Sequence, residues 1–223
     1  MTPIAALLLP LVVLQAGPVS TAPEGNRFAQ CVAAIEVDAA LTYEEAMAWA
    51  ADTQAVSAYR CAAMALIAQN RIDEGARRLE SLAAAVNPAE TATRADLLSQ
   101  AGNAWLLARE PARARSALSR AIATMQVDPP QLPDLLIDRA RAYAMEEDWR
   151  LAEEDLSRSL DIRPQDALAL RLRASARMHQ NSFELAEADA VAATTLEPDN
   201  VDNFLILGHV RESRRTGAPV MEQ

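Results

Sequence analysis

The chain has 223 residues with 21 basic and 31 acidic side chains, which gives a formal net charge of -10 at pH 7. A 51% share of apolar residues is enough to bury a core and excludes a disordered chain, and the acidic balance argues against nucleic-acid binding. With 48 Ala and only 6 Gly, the composition predicts an all-α protein, because alanine is the best helix former.

A short apolar run occupies residues 4–17. Its 14 residues are fewer than the roughly 20 that a spanning helix needs, and they match the apolar region of a signal peptide. Small residues at 20–22 fit a cleavage site, so we expect a signal peptide at 1–22, a periplasmic or secreted protein and no stable membrane span. No basic residue precedes the run, and the alternative is a cytoplasmic protein with an unprocessed N-terminus.

Cys31 and Cys61 are the two cysteines of the chain. Their spacing matches no zinc-binding pattern. In an exported protein we expect a disulfide between them, which would stabilise the fold by about 3–4 kcal/mol because it closes a loop of 30 residues. The alternative is a pair of buried free thiols that pack as small apolar side chains.

Amphipathic helices are predicted through residues 23–93. Thr42 and Glu45 have the spacing of a capping box, which would begin one of these helices. Tyr59 and Leu66 suit the apolar face of the next helix, and residues 71–76 suit the start of another.

One pattern recurs at a fixed interval in the second half of the chain. The residues Leu136, Ala140, Trp149, Ala152 and Pro164 return as Leu170, Ala174, Phe183, Ala186 and Pro198. The small residues mark positions where helices cross closely, the bulky ones fill the space between helices, and the prolines end helices. A closed helical bundle needs no fixed period, so the pattern favours stacked hairpins.

This pattern resembles the tetratricopeptide repeat (TPR), in which two antiparallel helices form each unit of about 34 residues. The resemblance implies a TPR-type α-solenoid with units at about 94–128, 133–166 and 167–200, and a C-terminal capping helix at 201–212. Residues 23–93 would be degenerate N-terminal hairpins, and 213–223 a disordered tail. The first unit would be truncated or irregular, because Ala46 and Gly75 lie closer together than one full period.

The resemblance also implies a concave groove that binds a partner protein or peptide and is lined by the first helix of each unit. The expected groove residues are Arg60, Met64, Asn103, Arg141, Met145, Arg171, Ser175 and His179. Asn103 takes a position from which family members often hydrogen-bond the backbone of a peptide. The three arginines favour an acidic peptide or a terminal carboxylate, and the methionines offer adaptable apolar contacts. The alternative is that these are ordinary solvated faces.

Asp138 stands where one peptide-binding pattern of the family has an asparagine. The clamp that binds the terminal carboxylate of chaperone tails needs a second Asn one unit after the first, and Asp138 stands there instead. The resemblance therefore disfavours chaperone binding of that kind.

No catalytic constellation is evident. The carboxylates at 146–148 and 153–155 are interpreted as a solvated acidic edge, and His179 and His209 lack a completing metal or catalytic set. We expect no catalytic residues, no metal and no cofactor. The leading hypothesis is a non-catalytic TPR adaptor of the bacterial cell envelope, as a monomer or weak homo-oligomer. The alternative is a homo-oligomeric structural subunit joined through the last helix.

Overall fold

A computed structural model describes residues 24–124 and 130–220 of the chain. Within these ranges the chain forms eleven α-helices and no β-strand. The helices are α1 (Glu24–Ile35), α2 (Ala39–Thr53), α3 (Val56–Ala68), α4 (Ile72–Ala85), α5 (Thr91–Leu107), α6 (Pro111–Thr124), α7 (Leu132–Met145), α8 (Trp149–Ile162), α9 (Ala167–His179), α10 (Phe183–Leu196) and α11 (Val201–Thr216).

The helices stack as five hairpins followed by α11. Each helix packs against its neighbour in sequence, and first helices of successive pairs also touch, as α5 touches α7 and α9 touches α11. The predicted all-α solenoid of helix pairs is therefore confirmed. None of the helices in the described ranges is long and apolar enough to cross a lipid bilayer.

The same turn closes four of the five hairpins. One residue between the two helices adopts the left-handed backbone conformation, with φ between 57° and 62°. These residues are Asn70, Arg109, Glu147 and Asn181. Because the turn is repeated, each second helix folds back on its first helix in a similar way.

Small residues lie where the helices cross most closely, as the sequence pattern predicts. Gly102 faces Leu118 of α6 so closely that an added Cβ would lie 2.5 Å from the Leu118 Cγ. Ala140 and Ala174, at the same position in the next two units, are at most 1% exposed. A larger side chain at these positions would push the two helices of a hairpin apart.

A buried ion pair repeats with the same period as the small residues. Arg139 of α7 donates two hydrogen bonds of 2.7 Å to Asp155 of α8, whose side chain is only 4% exposed. Arg173 and Asp189 repeat the arrangement in the next unit at 2.8 Å. In both units the arginine also reaches a serine of the preceding second helix, Ser119 or Ser157. The ion pair therefore joins the two helices of one unit, and the bond from arginine to serine joins that unit to the one before it.

The first hairpin differs from its prediction. Asp38, and not the predicted capping box, begins α2, because its carboxylate accepts hydrogen bonds from the backbone N–H of Ala40 and Leu41. Helices α2 and α4 begin at Ala39 and Ile72, which is close to one full repeat period. The short spacing between Ala46 and Gly75 does not mark a truncated unit, because Thr42, and not Ala46, is the residue of α2 that is equivalent to Gly75 in α4.

The C-terminal end is also more ordered than predicted. Helix α11 continues past the expected boundary at 212 and ends at Thr216, with Gly217 in the left-handed conformation (φ 75°) as its cap. The backbone N–H of Val220 donates to the hydroxyl of Ser213, which holds the following segment against the helix. The predicted signal peptide at 1–22 and the last three residues of the predicted tail lie outside the described residues.

Candidate peptide-binding groove

The candidate groove begins with a cavity between α1, α3 and α5. Its volume is about 620 Å³. Apolar side chains form most of its wall, and Arg60, Gln100 and Asn103 supply polar groups. The apolar wall includes Phe28, Val32, Met64, Ile67 and Leu107. The Leu107 side chain is 62% exposed and therefore presents apolar surface to an incoming ligand.

The structure thus brings together three of the eight residues predicted from the sequence, namely Arg60, Met64 and Asn103. Two contributors that sequence reasoning missed, Phe28 and Val32, lie on α1. Helix α1 has no recognisable repeat pattern, so its inward face could not be identified from spacing. The repeat could have identified Leu107. It is the last residue of α5, and Met145, which was predicted, is the last residue of α7 in the next unit.

Arg60 is held in place at the edge of this cavity. Its guanidinium group pairs with Asp96 at 2.8 Å and donates a hydrogen bond of 3.0 Å to Gln100. It also lies over the ring of Phe28, 5.0 Å from the ring centre. These contacts orient the guanidinium, and the Asp96 carboxylate balances its charge.

Asn103 and Asp138 connect α5 to α7. The Asn103 amide donates a hydrogen bond of 2.8 Å to the Asp138 carboxylate, and Arg141 approaches the other carboxylate oxygen at 3.4 Å. Burial raises the pKa of Asp138, while the hydrogen bond from Asn103 and the charge of Arg141 act in the opposite direction. Because the Asn103 amide already donates a hydrogen bond to Asp138, a bound peptide would have to share this amide with Asp138.

Arg171 repeats this charge pairing further along, where it bonds to Asp202 of α11. Each of the three predicted groove arginines consequently has an aspartate partner. The groove surface therefore carries alternating positive and negative charges, although the three arginines alone favoured an acidic peptide or a terminal carboxylate. Among the three arginines, Arg141 is the most exposed, at 52%.

The other predicted residues lie on α7 and α9, away from the cavity wall. Met145 is 41% exposed at the end of α7, and Ser175 is partly buried. The His179 ring stacks on Trp149 with 4.0 Å between ring centres and an angle of 7° between the rings. His179 is therefore fixed against α8 by its stacked ring.

A disulfide joins the two helices on one side of the cavity. Cys31 of α1 is bonded to Cys61 of α3, with the two Cα atoms 6.3 Å apart. The wall residues Phe28 and Val32 flank Cys31, and Arg60 and Met64 flank Cys61. The disulfide thus fixes the separation of α1 and α3 where they form the cavity. No group of three or more His, Cys, Asp or Glu residues in the described ranges could hold a metal ion.

Among the comparisons with known proteins, only the comparison with solved structures found matches, and these matches support the fold. No family model and no curated protein matches the chain. A structure reported with the functional characterisation of Pseudomonas aeruginosa pilF matches with a TM-score of 0.63 and 16% identity, over 83% of this chain and 81% of its own. YrrB, described as a TPR protein with an unusual peptide-binding site, matches with a TM-score of 0.60 and 16% identity, over 78% of this chain and 85% of its own.

The UNC-45 chaperone, described as binding and folding muscle myosin, matches over 55% of this chain with a TM-score of 0.51 and 23% identity. The match spans only 14% of the UNC-45 chain. At these identities the comparisons establish the fold. The chain is a TPR-type α-solenoid, as predicted, and a peptide-binding protein is among its structural neighbours.

Proposed function

We propose that this protein is a non-catalytic scaffold of the TPR family that binds a segment of a partner protein in its concave groove. The cavity between α1, α3 and α5 carries the proposal, because it combines an exposed apolar wall with fixed polar groups. Ligand-binding sites in proteins have this composition: apolar surface supplies affinity, and a few polar groups set orientation.

The proposed ligand is a peptide segment with a bulky apolar side chain that enters the cavity. Met64 and Leu107 would contact this side chain, and Gln100 and Asn103 would exchange hydrogen bonds with the peptide backbone. An acidic residue beside the apolar one would meet Arg60 or Arg141, each of which keeps unused N–H donors besides those paired with aspartate. A mixed apolar and acidic segment fits the alternating charges better than a purely acidic one.

We further propose that the protein acts in the bacterial cell envelope, as a periplasmic or secreted protein. Two features support this location. The apolar run at 4–17 has the length of a signal-peptide core, and a disulfide joins Cys31 to Cys61. Structural disulfides persist in oxidising compartments and are rare in the cytosol.

Capture of partner proteins by surface variants tests the groove. Leu107→Glu places a charge in the cavity wall, and Leu185→Glu places the same charge at a similarly exposed leucine (54%) on α10. Both variants should fold, because both leucines are more than half exposed. A partner that copurifies with the wild type and with Leu185→Glu, and is lost with Leu107→Glu, supports the proposal. A partner retained equally by both variants would refute it.

A further inference from the structure

Helix α1 is attached to the solenoid differently from the other first helices. The two helices of each later hairpin pack extensively against each other, whereas α1 packs more extensively against α3 than against its own second helix, α2. The turn at 36–38 also lacks the left-handed residue that closes the other four hairpins. With little packing against its hairpin partner, α1 depends on the bond between Cys31 and Cys61 of α3 for its position.

The helix held by this bond supplies one wall of the peptide-binding cavity. Phe28 and Val32 of α1 line the cavity together with residues of α3 and α5. Phe28 lies one turn before Cys31, and its ring centre is 5.0 Å from the guanidinium carbon of Arg60, the residue before Cys61. Movement of α1 away from α3 would remove both apolar side chains from the cavity wall. The position of α1 therefore determines whether the cavity is closed on this side.

The disulfide can be reached without passing through this cavity. A second cleft, with a volume of about 730 Å³, lies between α1 and α2. Its wall includes Arg27 and Cys31 of α1 and Trp49 of α2. Cys31 is partly exposed, whereas Cys61 is 0% exposed. A thiol that enters the cleft therefore meets the disulfide from the Cys31 side, and a peptide in the cavity does not block its path.

We propose that the Cys31–Cys61 disulfide is a redox switch of the peptide-binding cavity: a dithiol reductant reaches it through the cleft between α1 and α2, and reduction releases α1 from α3 and opens the cavity. This inference rests on the proposed function, because the cavity is the site at which the partner segment would bind. Release of α1 weakens that binding about tenfold or more, because the apolar contacts with Phe28 and Val32 are lost. In an oxidising compartment the disulfide persists and the cavity stays complete.

Reduction proceeds by thiol–disulfide exchange. A thiolate of the dithiol attacks the Cys31 sulfur, the bond between the two cysteines breaks, and the Cys61 sulfur leaves and takes up a proton. The second thiol of the reductant then attacks the reductant's own sulfur in the mixed disulfide and releases Cys31, which also takes up a proton. The two cysteines together gain two electrons and two protons, and the dithiol becomes a disulfide.

Trapping with glutathione tests the access route. Because glutathione is a monothiol, its mixed disulfide with the native chain can be trapped by acid and located by peptide mass spectrometry, and we expect it on Cys31. Ala48→Phe, at an exposed position that lines the cleft, should slow this reaction several-fold, and Ala51→Phe, at an exposed position of α2 outside the cleft, should not. A mixed disulfide on Cys61, equal rates in the two variants, or reaction only after unfolding in urea would overturn the proposal.

The fluorescence of Trp49 tests whether reduction releases α1. Trp49 is only 3% exposed, Phe28 and Cys31 of α1 pack against its apolar cluster, and Arg27 lies over its ring at 4.6 Å. Reduction with dithiothreitol should therefore increase quenching by acrylamide, and this increase should be absent from Trp49→Phe. Quenching of the wild type that does not change on reduction would contradict the release of α1.

Photocrosslinking from position 107 tests whether the switch acts on the cavity. With a photoreactive amino acid in place of Leu107, the partner adduct formed in an extract of the cell of origin should fall about tenfold in Cys31→Ala/Cys61→Ala and in the native chain treated with dithiothreitol. A chain whose two thiols are joined by a methylene bridge resists reduction and should keep the adduct in dithiothreitol.

The outcomes separate the switch from the proposed function. An adduct that is equally strong before and after reduction would refute the switch and leave groove binding supported. Absence of any adduct from the oxidised chain would refute the proposed function, and with it the control of binding by α1.

Discussion

The amide of Asn103 donates a hydrogen bond of 2.8 Å to the carboxylate of Asp138 and so joins two successive first helices across the groove. Burial raises the pKa of Asp138, so the folded protein holds the Asp138 proton more tightly than the unfolded chain does. Deprotonation of Asp138 therefore lowers the free energy of unfolding. The loss begins as the pH rises above the pKa of Asp138 in the unfolded chain, and it is complete above the higher pKa of Asp138 in the folded protein.

Asp138→Asn should make the protein more stable at pH 7, because it removes this buried charge and keeps an oxygen that accepts from Asn103. At pH 3, where Asp138 is protonated, the gain should disappear. Urea unfolding at both pH values measures the difference. Asp134→Asn, at a 61% exposed position of the same helix, should give no gain at pH 7. A loss of stability in Asp138→Asn at pH 7 would contradict the conclusion that burial disfavours the charged form of Asp138.

The buried ion pair between Arg139 and Asp155 should be required for folding stability. Arg139→Ala leaves the buried Asp155 carboxylate with only the more distant Arg158, 3.7 Å away, and should lower the free energy of unfolding by about 3 kcal/mol. Arg150→Ala is the matched control, since its pair with Glu154 is mostly exposed and should change stability by less than about 0.5 kcal/mol. Equal effects in chemical denaturation would show that burial of the pair is unimportant.

Gly102 and Gly208 occupy the same repeat position but should respond in opposite ways to alanine. Gly102→Ala forces a Cβ against Leu118 and should cost about 1–3 kcal/mol. Gly208→Ala meets open space and should stabilise α11 by about 0.5–1 kcal/mol, because alanine favours the helix. Both substitutions should be measured by thermal unfolding against the wild-type chain. Stabilisation by both substitutions would contradict the close crossing at Gly102.

Reduction of the disulfide should loosen α1 before the rest of the molecule. The bond between Cys31 and Cys61 closes a loop of 30 residues, and its loss should lower stability by about 3–4 kcal/mol. Amide hydrogen exchange should rise first in α1, which among the described helices packs mainly against α2 and α3. Faster exchange in α9 and α10 than in α1 after reduction would be the contrary result.

The stacked architecture could be predicted because the packing rules act at fixed spacing. Ala140 and Ala174, or Pro164 and Pro198, recur at one interval in the sequence, and each marks a crossing or a helix end. The ion pairs were harder to predict. Arg139 and Asp155 are polar residues of types found at many exposed positions, and only their shared burial between α7 and α8 distinguishes them.

The candidate site was predicted only in part, for a related reason. Arg60 and Asn103 could be placed in the groove by register, but their aspartate and glutamine partners depend on side-chain geometry across helices. Phe28 lies on a helix outside the recognisable repeats, so nothing in the sequence indicated that it lines the cavity.

In the proposed function, a segment of a partner protein occupies the concave groove. Photocrosslinking in the cell of origin tests it most directly, with a photoreactive amino acid placed at Leu107 or Met145 in the groove, and at Leu185 or Val191 on α10 as exposed controls. We expect one shared partner adduct from the two groove positions that is lacking from both controls. Adducts that are the same at all four positions, or that form only from α10, would contradict it.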